Sequence, residues 1–322
     1  MITRLTLIAF TILTSIAAVA TLSAQSPLTA SDALEFGPPL RPNIVFSYKF
    51  TERVHSIYES QGTVVDSGER ILTYYISERQ LPLDGGRWSI EANVDSMRVD
   101  YKHDGATLQF NTQDAVDGPF DINHREILAP SSIVNLPATV TLSSYGEILD
   151  VESPAFDDLR EQIKSEGVDP AVRERVLDLT STEFVGATVF PWRNIVPLGR
   201  RVAYFDTLRL PFAGVLDRTP VRDTATVVLI RQNEKAVLNF SSTFARAVRP
   251  TATFTELRDP VAIESVNGRI SGGLNLDDDG VVISGWTAAT GTIAGIVSGA
   301  PIVATIRHET YTEMIGMMSL TN

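Results

Sequence analysis

The sequence predicts a mainly β (α+β) protein: a curved antiparallel sheet or partly open barrel in two similar halves, with a helical hairpin at mid-chain. Three observations predict it. Ile44, Phe46, Tyr48 and Phe50 alternate with Val45, Ser47 and Lys49, the two-residue period of a strand with one buried face. The same alternation returns in short runs separated by turn residues, as antiparallel pairing requires. Only one stretch, near the middle, changes to helical spacing.

Taken in order, residues 1–24 read as a secretory signal peptide. Arg4 precedes the apolar run Leu5 to Ala20, and the small residues Ala20, Ser23 and Ala24 follow, so cleavage is expected after Ala20 or Ala24. That run is near the lower length for a membrane span and no basic stop-transfer cluster follows it. The mature chain is therefore expected to carry no integral membrane span. Residues 25–43, rich in Pro, Ser and Ala, form an extended lead-in.

The first β-rich half, 44–152, continues with strand-like runs at Arg70 to Ser77, Trp88 to Tyr101 and Thr107 to Phe110. Asp84-Gly85-Gly86 and Asp104-Gly105 supply the turns between them. At 153–185 the pattern is a helical hairpin. Ser153-Pro154 is a capping side chain followed by proline at the first helical position. Phe156, Leu159 and Ile163 share one face, and Gly167 is placed to end the helix. Asp169-Pro170 repeats the start, and Val172, Val176 and Leu179 make the second stripe. The second β-rich half, 186–322, alternates over Arg201 to Leu210, Thr224 to Arg231, Ala236 to Phe244, Ala262 to Leu276 and Pro301 to Met314. It is expected to form one compact unit with the first. A short internal match supports the two halves: Leu142, Gly146 and Ile148 align with Leu276, Gly280 and Val282.

Composition narrows the function. The chain has no cysteine, which excludes disulfides, lipidation at Gln25, thiol catalysis and thiolate metal sites. A net charge of −12 argues against nucleic acid and anionic membrane surfaces as partners.

No motif points to a reaction. Asn275, Asp277, Asp279 and Gly280 open like a calcium loop, but the twelfth position is Trp286 and the ninth Ile283. Half the oxygen ligands are missing, so a hairpin turn capped by Asp is expected instead. The four histidines, His55, His103, His124 and His308, form no pair at ligand spacing, so a zinc site would need long-range assembly. His124, near Asp121 and Glu126, is the one candidate for acid–base work, and the reading preferred for it is a solvated loop residue. Signatures of serine hydrolases and of phosphate-binding loops are absent. No catalytic residue, metal ligand or cofactor is assigned.

The stretch Val281 to Ile306 carries no charge but many Gly, Thr and Ser. It reads as strands buried on both faces or lining a cavity. Small side chains beside Trp286 would leave room for an apolar guest.

The order of features resembles a family of exported bacterial proteins of unknown function, often lipoproteins, with two β-rich halves. The likeness rests on Phe46 to Phe50, the hairpin Val140 to Val151 and the helical linker. It continues through Pro191, Val196 and Gly199 to the late hairpin with Asp277 and Gly280. Arg200-Arg201 stand where the family has a tryptophan, and Gln25 stands at its lipidated cysteine, which implies a chain that is not lipidated. Such proteins are similar at fold level to periplasmic lipid carriers, a likeness that does not fix function.

The reading is a non-enzymatic periplasmic or extracellular protein that binds an apolar small molecule or lipid. Its expected ligand-binding residues are Phe46, Tyr48, Phe50, Trp286 and Ile296. The alternative is a structural component of the cell envelope with a protein partner.

Overall fold

The fold is that of a computed structural model, which describes residues 33–36, 41, 43–84, 87–113, 125–143, 148–164, 167–182, 185, 196, 200–254, 256–257 and 259–320. The signal-peptide stretch, His124, Gly146, Pro191 and Gly199 lie outside them. Among the described residues, no helix is long and apolar enough to cross a membrane.

Strand β1 (Ala33–Phe36) falls in the predicted lead-in, where Leu34 and Phe36 are buried. Next come β2 (Ile44–Ser60), β3 (Thr63–Asp84) and β4 (Arg87–His103), each longer than its sequence run. They form an antiparallel meander whose first turn is Gln61-Gly62, both at positive φ. β5 (Ala106–Asn111) and β6 (Ala138–Leu142) pair with opposite ends of β4, and β7 (Ile148–Glu152) pairs with β6.

Three short helices are described. α1 (Arg125–Ser131) precedes β6, and α2 (Pro154–Gln162) and α3 (Pro170–Leu179) follow β7. α1 is unforeseen from the sequence, because seven residues with Pro130 inside make a weak helical pattern. Ser153 caps α2, accepting a hydrogen bond from the Phe156 N–H at 3.2 Å.

The second half is another meander. The predicted strand Arg201 to Leu210 is broken into β8 (Arg200–Ala203), which pairs with β1, and β9 (Thr207–Leu216). The break is a turn at Phe205, whose φ of 72° no strand residue adopts. β10 (Thr219–Gln232), β11 (Lys235–Phe244), β12 (Thr251–Ala252), β13 (Val261–Leu276), β14 (Val282–Val297) and β15 (Ala300–Ser319) follow.

The last strand pairs with β2, so the two meanders share one sheet in the order β7-β6-β4-β3-β2-β15-β14-β13-β11-β10-β9. It does not close into a barrel. Its end strands are β7, the last strand before α2, and β9, the first strand of this sheet after α3. The sheet nevertheless curls: the end of β9 touches β14 and β15. One apolar core spans both halves, with Phe50, Tyr58, Tyr74, Leu229, Leu238 and Ile293 among its most buried residues. Burial of each such side chain stabilises the fold by about 1.5–3 kcal/mol.

Candidate functional site

Residues paired directly across antiparallel strands point to the same side of the sheet. Phe50 pairs with Thr312, so Phe46, Tyr48 and Phe50 define an inner face and are 3%, 1% and 1% exposed. Trp286 pairs with Tyr311, one residue out of phase with Thr312, and lies on the outer face with Ile296. These two are 45% and 39% exposed. The five residues predicted to line one ligand site are thus split between opposite faces. The charge-free stretch is corrected with them: it is not buried on both sides, because the outer face of β14 is open at Trp286, Thr290, Thr292 and Ile296. The outcome was hidden because alternation shows which residues share a face, not which face is covered.

The stretch that opens like a calcium loop is the Asp-capped turn expected from the sequence. Asp277 Oδ1 accepts from the backbone N–H groups of Asp279 at 3.0 Å and Val281 at 2.7 Å. Gly280 takes a φ of 76°, and Asp279 pairs with Arg41. Its acids therefore cap the backbone and tie down the lead-in.

The inner face holds what sequence analysis missed, a buried ion cluster. Following Phe46, Tyr48 and Phe50 in phase along β2 comes Glu52, and in β3 Arg70 is in phase with Leu72's neighbours Tyr74 and Ile76 through its own even positions. His308 holds the matching place in β15 after Ile302, Ala304 and Ile306. The covering elements bring the rest: Glu126 from α1, Arg175 from α3, and Asp217 and Arg218 from the two-residue β9–β10 turn. That turn needs positive φ at Asp217, 53°, which aspartate tolerates. All seven side chains are buried.

Arg70 is the hub. Its guanidinium lies 2.9 Å from Asp217, 3.4 Å from Glu52 and 3.5 Å from Glu126. Arg218 makes a second ion pair with Glu126. His308 Nδ1 donates to the Val215 carbonyl at 2.9 Å, and Nε2 lies 3.2 Å from Glu52 Oε1.

The charges perturb one another strongly. Burial pushes the Glu52 carboxyl up, but Arg70 and His308 outweigh it and bring it down to about 2. Against the same burial, Arg218 and Arg70 hold Glu126 well below the usual carboxylate range. Burial, then Arg218 and Arg70, lower Arg175 to about 10. Beside the cluster, the Tyr58 hydroxyl donates to Glu256 at 2.7 Å. Burial and then Asp217 raise the proton affinity of both Glu256 and Tyr58.

Carboxylates held this low keep their charge through the physiological range. What the cluster does is bind elements to one another: it ties α1 and the β9–β10 turn to the centre of the sheet. The signal for it was a charged residue in phase with buried aromatics, which an alternating strand places inside.

No protein-family model matches the chain, and no curated protein matches it. Among solved structures, the chain is similar to lipovitellin, described for its lipid–protein interactions, at 11% identity and a TM-score of 0.47. That match covers 88% of this chain and 26% of the other, so the chain spans about a quarter of lipovitellin's length. DynF from the dynemicin biosynthesis pathway of Micromonospora chersina matches at 5% identity and a TM-score of 0.25, covering 91% and 90% of the two chains. An outer membrane channel from Pseudomonas putida F1 matches at 8% identity and a TM-score of 0.25, covering 90% and 100%.

Proposed function

We propose that this is a non-enzymatic protein of the cell envelope that holds an apolar small molecule or lipid against the inner face of its sheet. One observation carries the reading. The inner face is apolar across both meanders, yet two of the pieces that cover its centre, α1 and the β9–β10 turn, are joined to it by ion pairs with Arg70. Ion pairs between buried groups are directional and contribute little net stability over apolar packing. A layer attached in this way can separate as a unit, and the aromatic surface of Phe46, Tyr48 and Phe50 then becomes available to a guest. Export is read from the signal-like residues 1–24.

Native mass spectrometry and solvent extraction of the protein purified from its own cells test this. The expected result is a bound apolar molecule at near one per chain, displaced by a fluorescent fatty acid. A guest-free protein that also fails to take up the fluorescent fatty acid or a phospholipid overturns it.

A second reading, an envelope component with a protein partner, is favoured by one feature. β15 pairs with β14 only as far as Glu313. Among the described residues, those beyond that point pair with β2 alone, which leaves an unpaired edge beside Ile315, Met317 and Met318, each more than half exposed. Cross-linking in cells that captures one reproducible partner at this edge, with no lipid bound, supports the second reading over the first.

A further inference from the structure

At the far end of the inner face, two strand ends and a turn bring together residues that no sequence spacing relates. Asp66 sits in β3 beside a bulge, where the register shifts between Tyr58 and Glu59. His103 ends β4, and Asp104 follows it in the two-residue turn Asp104-Gly105, both at positive φ. One donor atom from each of the three lies within 4.8 Å of the other two.

Two of the three donors, those of His103 and Asp66, are held in place before any ion arrives. His103 Nε2 is 2.7 Å from Asp66 Oδ1 across 37 residues of sequence. The imidazole stacks on Tyr101 with ring centroids 6.0 Å apart, and Asp66 Oδ1 also accepts from the Ser67 N–H at 2.7 Å. Both side chains keep some exposure, 28% for His103 and 20% for Asp66, so an ion can reach them from solvent. The surroundings favour a cation. Gly68 pairs with His103, and the Glu256 carboxylate fills the space a side chain on Gly68 would occupy. The nearest lysine, Lys102, alternates to the opposite face of β4 and pairs with Glu69 at 3.6 Å.

We propose that Asp66, His103 and Asp104 bind one divalent cation of the borderline class, for which Zn²⁺ is the probe. An imidazole with two carboxylates suits zinc or a neighbouring transition metal and disfavours Mg²⁺ and Ca²⁺, which take oxygen ligands. Three protein ligands leave a position for water. The ion joins the β3 bulge to the β4–β5 turn. The site shares no residue with the ion cluster and does not depend on the lipid-binding reading. Because the chain has no cysteine, zinc cannot be diverted to thiolates.

The test is calorimetric titration of the EDTA-treated full chain with Zn²⁺, with thermal unfolding in parallel. The expected result is one ion per chain with micromolar affinity and a melting temperature higher by several degrees. His103→Ala and Asp66→Asn should each weaken binding at least tenfold, while His55→Ala on the outer face leaves it unchanged. Ni²⁺ added to the wild-type protein gives a readout independent of how the variants fold: it should broaden the NMR signals of one imidazole among the four histidines. Absence of saturable binding at millimolar Zn²⁺, equal binding by folded His103→Ala, or no imidazole broadened by Ni²⁺ overturns the proposal.

Discussion

Arg70 faces three carboxylates from three different elements, so its removal strands several buried charges at once. Arg70→Met should destabilise the protein by about 3–5 kcal/mol, the range for breaking a buried ion pair from one side, as measured by urea unfolding. A loss below 1 kcal/mol would mean that the pairs behave like surface ones. Glu52 ties the cluster to pH. Its carboxyl sits at about 2 in the fold against an ordinary 4.5, so its contribution is complete above pH 4.5 and is lost as pH falls from there toward 2. Glu256, raised by burial and Asp217, acts in the opposite sense, and protonating it relieves a cost. Glu52→Gln should therefore show a flatter acid limb between pH 4.5 and 2 than the wild type; parallel curves would refute the assignment. In the sequence Arg70 and His308 were legible only as members of alternating strands, and Glu52 only as the residue in phase beyond Phe50. That they meet is a consequence of β2 lying between β3 and β15.

At the scale of elements, the glycines of β13 show how strand neighbours are matched. Phe240 of β11 pairs with Gly272, and Phe244 with Gly268. In each case the phenyl ring lies where a side chain on the glycine would go. A large residue over a bare backbone lets the two strands pack closely. Gly272→Ala should cost about 1–3 kcal/mol through overpacking, and Phe240→Leu in that background should recover part of it; purely additive losses would contradict the contact. Ser153 is a second local device, because its hydroxyl caps α2 and also donates to the Pro137 carbonyl at 2.7 Å. Ser153→Ala should lower stability by about 0.5–2 kcal/mol, read as an earlier thermal transition. The cap was visible in Ser153-Pro154 because helix starts are local. The ring-on-glycine pairs were not, since they depend on the register between strands more than twenty residues apart.

At the scale of the molecule, the sheet is joined where the chain's last strand meets its first long one. β15 lies between β14 and β2, and the backbone N–H of Leu320 reaches the Asn43 carbonyl at 2.6 Å. A chain ending at Ser298 lacks β15 and should show no cooperative unfolding transition by circular dichroism, because both meanders then lose their shared central strand; a cooperative transition would show that the halves fold independently. The sequence by itself determined the β class, the antiparallel turns, the helical hairpin and the capped turn at Gly280, since each depends on periodicity or on a few adjacent residues. Tertiary structure alone decided which face of each strand is covered, and so buried Phe46, Tyr48 and Phe50 while leaving Trp286 open. It also assembled Arg70 with Glu52, Glu126 and Asp217, and His103 with Asp66. The reason is physical: residues far apart in sequence become neighbours only through the pairing order and curl of the sheet, which no local pattern encodes.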